Sequence, residues 1–166
     1  MIFRLPAAQR ARKGERMRAY GWIACLVVGL LVAAGPVRPA ALQTLTIASK
    51  TGAHKFEVEI ADNPAAQEKG LMFRRSMPAD RGMLFDFHHE QDVNFWMQNT
   101  YIPLDMIFIK GDGRILRIEQ NTEPLSTRLI PSGGPVLAVL EVNGGVAHKL
   151  GIAPGDRVDY PIFKPQ

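Results

Sequence analysis

Phe95-Trp96-Met97-Gln98-Asn99-Thr100-Tyr101-Ile102-Pro103-Leu104-Asp105-Met106-Ile107-Phe108-Ile109 is the densest apolar stretch outside the N-terminal forty residues, yet it carries polar side chains that a plain core does not need. Pro103 lacks an amide donor and pushes Ile102 toward extended geometry. The stretch therefore reads as two strands, Val93–Met97 and Leu104–Lys110, joined by a turn over Asn99–Pro103. Asn99 and Asp105 stand at the two ends of that turn. A buried amide or carboxylate has to be paired, so these residues either fix the fold or build a site.

Downstream, Gly111-Asp112-Gly113 is a hairpin turn between Leu104–Lys110 and a strand over Arg114–Gln120. Asn121–Pro135 is polar, holds Pro124, Pro131 and Pro135, and reads as a surface loop with the length of a lid. Val136–Val142 is a strongly apolar strand interrupted by Glu141. Asn143-Gly144-Gly145 then turns into a short helix, Val146–Leu150, ended by Gly151. Gly155-Asp156 leads into a last strand over Arg157–Ile162.

Upstream, Leu42–Ile47 and His54–Ala61 form a hairpin. Phe56, Val58 and Ile60 alternate on its buried face, and Glu57 and Glu59 lie on its wet face. Asn63-Pro64 starts a short helix, with Asn63 as cap and Gly70 as its end. Leu71–Pro78 is a compact connection, Gly82–Phe87 a strand, and His88–Asp92 an exposed loop. Many short strands, frequent Gly and Pro turns and two brief helices indicate a mainly-β, single-domain antiparallel sandwich or barrel, jelly-roll-like in layout.

The first residues differ in kind. Arg4, Arg10, Arg12, Lys13, Arg16 and Arg18 precede Ala19–Ala34, a run without charge. A basic region followed by a short apolar one is the layout of a secretory signal, and the run falls short of the ~18 residues of a comfortable bilayer-spanning helix. Residues 1–41 are expected to be a signal peptide or N-terminal membrane anchor, and 42–166 a single domain. The expected location is exported, periplasmic or secreted. An uncleaved segment would instead tether the domain to the inner membrane, as its one membrane contact.

The leader also carries the basic charge. From Leu42 onward there are 13 Lys plus Arg against 15 Asp plus Glu, a net of −2. No polybasic footprint for nucleic acid survives. Cys25, the one cysteine, lies inside the apolar run, so the domain has no thiol for a disulfide, a nucleophile or a metal. No cofactor motif is present.

Gly70-Leu71-Met72-Phe73-Arg74, Gly82-Met83-Leu84-Phe85, the block Trp96-Met97-Gln98-Asn99-Thr100-Tyr101-Ile102-Pro103-Leu104-Asp105 and Val139-Leu140-Glu141-Val142-Asn143-Gly144-Gly145 closely resemble the bacterial and archaeal family called "domain of unknown function 192". The resemblance runs through nearly all of 42–166 in the family's order. It implies a secreted or periplasmic single domain with a mostly β, sandwich-like fold, and it implies no catalytic roles. Gln98 stands where the family usually carries Lys.

The chemistry must then come from the residues. Arg74 (or its neighbour Arg75), Trp96, Asn99, Asp105 and Glu141 are the candidate binding set. In one reading an arginine pairs with Asp105 or Glu141, and Asn99 holds its turn through the backbone. In the other, Arg74, Asn99 and Trp96 line a cleft for a small polar ligand or a cell-envelope component. A hydrolase would use Asp105 and Glu141 as acid and base. A soft-metal site for Cu(I) would draw on Met72, Met83 and Met97 beside Trp96, although such methionines also serve as core filling. Histidine spacing fits no zinc motif, and no G-x-S-x-G occurs. The binding or accessory module is the leading expectation, with no catalytic residue assigned.

Overall fold

Val136–Asn143 and Leu104–Ile109 are apolar at nearly every position because each is a strand buried on both faces. The computed structural model describes residues 41–163, and the expected signal or anchor segment lies outside them. Nine strands and two helices follow in order: β1 (Gln43–Ser49), β2 (Gly52–Ala61), α1 (Pro64–Lys69), β3 (Arg81–Gln91), β4 (Asn94–Phe95), β5 (Leu104–Ile109), β6 (Ile115–Glu119), β7 (Ile130–Pro131), β8 (Val136–Asn143), α2 (Val146–Leu150) and β9 (Arg157–Asp159). Among the described residues no helix is long and apolar enough to cross a membrane.

Seven strands form one sheet in the order β6-β5-β8-β3-β2-β1-β9, while β4 and β7 make a separate two-stranded sheet. The large sheet curls into a half-barrel until its edges touch. Val158 N donates to Gly113 O at 2.8 Å, Ile115 N donates to Asp156 O at 2.9 Å, and Arg114 bridges Arg157. The expected mainly-β domain is present, as a half-barrel with a small second sheet. One pairing is not antiparallel: β2 runs parallel to β3. A parallel pair needs a crossover, and residues 62–80, with α1, supply it.

Two cores result. Leu45, Ile47, Phe56, Val58, Leu84, Ile107, Ile109, Leu140, Val142 and Val158 converge from six strands on the inner face, joined by Ile115 of β6 and by Ala147 of α2. Met83, Phe85, Phe87, Leu104, Met106, Phe108 and Val139 lie on the outer face, covered by Leu71, Val93, Phe95, Met97, Ile102 and Ile130. Phe95 anchors this cover, making edge-to-face contacts with Phe85, Phe87 and Phe108 at centroid distances of 5.2, 6.4 and 6.1 Å.

Several sequence expectations change here. The strand expected over Val93–Met97 shrinks to Asn94–Phe95, because its partner is the two-residue β7 inside the Asn121–Pro135 loop. His88–Asp92 is not a free loop: β3 continues to Gln91 past an irregularity, where His88 adopts φ 63° and its amide donates to Asp86 Oδ1 at 2.8 Å. The last strand ends at Asp159. The Asn63 cap, the Pro64 start, both hairpins and the glycine ends of the helices are as expected: Asn63 Oδ1 accepts from Ala66 N at 3.0 Å.

Gly82 shows how tightly β3 and β8 approach. A Cβ there would stand 2.6 Å from Glu141 O, with Val142 and Leu140 side chains within 3.3 Å. Gly82→Ala is expected to destabilise the domain by about 2 kcal/mol, the range of overpacking in a rigid core. Urea denaturation measures this, and a variant as stable as wild type would show that the β3–β8 spacing relaxes.

Candidate functional site

The register across the large sheet places Glu59, Met83, Glu141, Met106 and Glu119 in one row on the outer face. The row alternates carboxylate and thioether. Its two outer carboxylates are neutralised by arginine. Glu59 takes a two-pronged ion pair from Arg74, at 2.5 and 2.7 Å, whose hydrogen bonds hold its carboxyl below the usual range. Glu119 is held by Arg128, at 2.7 Å, and by Arg117, and its carboxyl is likewise lowered. The central carboxyl, Glu141, is different. It is 4 % exposed and is engaged by none of these arginines. Burial, the largest effect, raises it to about 7, against smaller opposing pulls from positive charge, Arg74 being the lesser of them.

Arg74 thus reaches neither Asp105 nor Glu141 as an ion-pair partner. The sequence placed Glu59 on a fully wet face, but the crossover carrying Arg74 folds back over β2 and takes this carboxylate first. The guanidinium is raised above its ordinary value mainly by its hydrogen bonds to Glu59.

Asp105 takes no arginine either. It lies opposite Val142 on the inner face and is fully buried. Its Oδ1 accepts from Asn121 N at 2.7 Å and Gly145 N at 2.9 Å, and its Oδ2 from Ala147 N at 2.8 Å. Two of these amides begin α2, where a negative charge is favourable. Asp105 therefore ties the start of β5 to the loop after β6 and to α2. Since Met106, its neighbour, is the residue opposite Glu141, the two carboxyls point to opposite faces of the sheet. They do not share a cleft.

Asn99 lies in the left-handed region at φ 58°, and it joins the turn through its backbone rather than through its side chain. Its carbonyl accepts from Phe73 N at 2.8 Å, and the next carbonyl, of Thr100, accepts from Leu125 N at 3.1 Å. Phe73 and Leu125 are themselves left-handed, each at φ 63°, although both are bulky and exposed. Such conformations cost about 1–2 kcal/mol each. Three strained residues from three loops thus meet at one turn, beside the cleft described next.

That cleft is lined by Gln67, Glu68, Lys69, Leu71, Met72, Phe85, Phe95, Trp96, Gln98, Thr100 and Glu141, with a cavity volume of about 20 Å³. It unites Trp96 and Glu141 from the candidate set. Arg74, Asn99 and Asp105 are not on its lining. Gln67, Gln98 and Thr100 are polar walls that the sequence reading did not single out as site residues. Gln67 is buried because its amide donates to Ala61 O at 3.2 Å and Asp86 O at 2.7 Å. Nothing in a six-residue helix announces such contacts. Gln98 did carry a signal, its place two residues from Trp96 in the same turn.

The three methionines separate. Met72 lines the cleft, with its Sδ 3.9 Å from Asn99 Nδ2. Met83 and Met97 belong to the outer-face core, Met97 with its Sδ 3.1 Å from the Thr122 hydroxyl. Among the described residues no group of three or more His, Cys, Asp or Glu side chains is placed to hold a metal ion.

Known proteins bear on this geometry in three ways. No curated protein matches the chain significantly. A solved structure from Sinorhizobium meliloti, described as that of a candidate transcription regulator, is similar with 45 % identity and a TM-score of 0.71, over 74 % of this chain and 95 % of that one. A protein of unknown function from Novosphingobium aromaticivorans is similar with 43 % identity and a TM-score of 0.72, over 75 % of this chain and 89 % of that one. The model of domain of unknown function 192, described as "Uncharacterized ACR", matches residues 45–160. The chain belongs to this family of uncharacterised proteins.

Proposed function

We propose that the domain is an exported binding or accessory module, and that the cleft beside Trp96 holds a small polar ligand or a piece of the cell envelope. The observation that carries this is Glu141, a buried carboxyl placed in a cleft wall next to an aromatic ring and three polar side chains, Gln67, Gln98 and Thr100. Polar groups that converge beside an aromatic side chain are what fixes a ligand's orientation in a binding site. Export rests on the basic and apolar character of the first forty residues.

The opposite-face placement of Asp105 and Glu141 favours binding over two-carboxylate hydrolysis, which needs both groups at one bond. The separation of Met83 and Met97 from the cleft lining gives the Cu(I) reading no comparable support. The description of the Sinorhizobium protein as a regulator is not carried over, since a net charge of −2 from Leu42 onward offers no basic surface for DNA.

Thermal-shift measurements on the purified protein with free amino acids, amino sugars and N-acetylated sugars test the proposal. At least one compound is expected to raise the melting temperature by about 2 °C or more at millimolar concentration, through ligand linkage, and Trp96→Ala to abolish the rise. A shift that survives Trp96→Ala would move binding away from this cleft.

A further inference from the structure

We infer that Phe73, Tyr101 and Leu125 form a docking patch whose partner is an anionic lipid surface. None of the three lines the cleft, and the patch does not depend on what the cleft holds. It shares with the preceding reading only the expectation of export.

The first observation is a backbone conformation at odds with its residue types. Phe73 and Leu125 are left-handed, and their amides donate to successive carbonyls, those of Asn99 and Thr100, at 2.8 and 3.1 Å. Asn99, the third left-handed residue of the group, is of a type that tolerates this region. Phenylalanine and leucine are not, and neither offsets the cost by burial: Phe73 is 58 % exposed and Leu125 57 %. Asparagine or glycine would suit the fold better at both positions. Two bulky apolar side chains are thus displayed to solvent where folding alone favours small or polar ones.

The second is contiguity. Phe73 and Tyr101 meet edge to face at a centroid distance of 6.2 Å, with Tyr101 itself 43 % exposed. Tyr101 directly follows Thr100, whose carbonyl holds Leu125. Exposed apolar side chains gathered in this way mark a protein or membrane contact.

The surroundings favour lipid. Arg75, two residues from Phe73, is exposed and forms no ion pair or hydrogen bond among the described residues, which leaves its guanidinium open to a phosphate. Arg74 and Arg128, on the connections that carry Phe73 and Leu125, neutralise Glu59 and Glu119, carboxylates that would otherwise repel an anionic surface. The Tyr101 hydroxyl makes no hydrogen bond among the described residues. An apolar ring with a free polar tip suits the headgroup level of a bilayer, and Phe, Leu and Arg beside it complete an interfacial set. The chain also enters the domain nearby. Strand β1 begins at Gln43 opposite Val58, the neighbour of Glu59, which holds Arg74. The covalent joint to the expected leader therefore lies beside the crossover that carries Phe73.

The test uses the full chain with Cys25→Ser and one nitroxide label, at Ser76→Cys beside the patch or at Lys110→Cys, at the far end of β5 from the Asn99 turn. Both positions are exposed. On vesicles containing phosphatidylglycerol, collision with oxygen relative to a water-soluble nickel chelate is expected to be at least about threefold higher at Ser76 than at Lys110, because a docked patch sits at the acyl boundary. Phe73→Asn is expected to remove the difference while the melting temperature stays level or rises, since asparagine tolerates the left-handed region. Arg75→Glu, which breaks no bond among the described residues, is expected to reduce it, as is replacing phosphatidylglycerol by phosphatidylcholine. A Ser76 label as open to the chelate as the Lys110 label overturns the assignment, even where the leader holds the chain on the vesicle. So does a difference that both variants leave unchanged, because the leader alone then sets it. If light scattering instead shows a dimer that Phe73→Asn dissociates, the patch is a contact between copies and the lipid assignment is wrong. The thermal-shift panel reads the cleft and not this patch, so either reading can fail alone.

Discussion

Asp105→Ala is expected to cost about 4 kcal/mol of folding stability, a large part of the 5–15 kcal/mol that a domain usually has. The carboxylate accepts from three backbone amides, those of Asn121, Gly145 and Ala147. Bonds to a charged acceptor contribute roughly 1.5–3 kcal/mol each, and an orphaned buried amide costs about 1–3 kcal/mol. These amounts do not add fully, because Asn121 and Gly145 lie near enough to the surface for water to replace part of what is lost. At about 4 °C per kcal/mol for a domain of this size, the melting temperature falls by roughly 15 °C. Asp105→Asn separates charge from shape. Its oxygen can still serve Asn121 and Gly145, while its NH2 group would face the Ala147 amide, donor against donor, so about half the loss is expected. Guanidinium denaturation gives both values. Hydrogen exchange at Asn121, Gly145 and Ala147 locates the effect, and a loss below about 1 kcal/mol for Asp105→Ala would show that the three bonds are dispensable.

The same residue shows what the sequence could and could not say. That Asp105, inside an apolar strand, had to be paired followed from the cost of burying a charge, and the pairing exists. Its partners are backbone amides on two distant loops, which have no identity in a sequence. Arginine was the visible donor, and Arg74 went to Glu59 because the crossover from β2 to β3 lies over the outer face. The period-two alternation placed Glu57 and Glu59 on one side of the strand, but it could not say that another layer covers the end of that side. Turn chemistry was the most legible level. Asn63-Pro64, Gly111-Asp112-Gly113 and Gly151 act within a few residues of themselves, so local rules suffice. The parallel β2–β3 pair and the two-residue sheet of β4 and β7 are non-local, and their strands look like any others. For the site, Trp96 and Glu141 were legible as an aromatic and a charge in unusual company. That these two share a cleft while Asp105 faces the other core depends on the register of β5 against β8.

Glu141→Gln is expected to make the protein more stable, and the gain should depend on pH in a way that identifies the residue. Burial raises the folded-state carboxyl to about 7, from 4.5 when unfolded. Below pH 4.5 the group is protonated in both states and costs nothing. Between 4.5 and 7 the unfolded chain loses its proton while the folded chain keeps it, so stability falls as pH rises. Above 7 the loss is complete, at about 3 kcal/mol. Glutamine, neutral at every pH, escapes this. The two proteins should therefore match near pH 4 and differ by about 3 kcal/mol at pH 8, measured by urea denaturation across the range. Glu59 and Glu119 work in the opposite sense: their lowered carboxyls add stability above the unfolded value and lose it as pH falls through the folded one. Their contributions fall outside the window from 4.5 to 7 and are common to both proteins, so they cancel in the comparison. A difference independent of pH would mean that Glu141 is ionised throughout and already paired. An amide would serve the fold better at neutral pH, where the buried carboxyl loses its proton on unfolding and keeps part of it when folded.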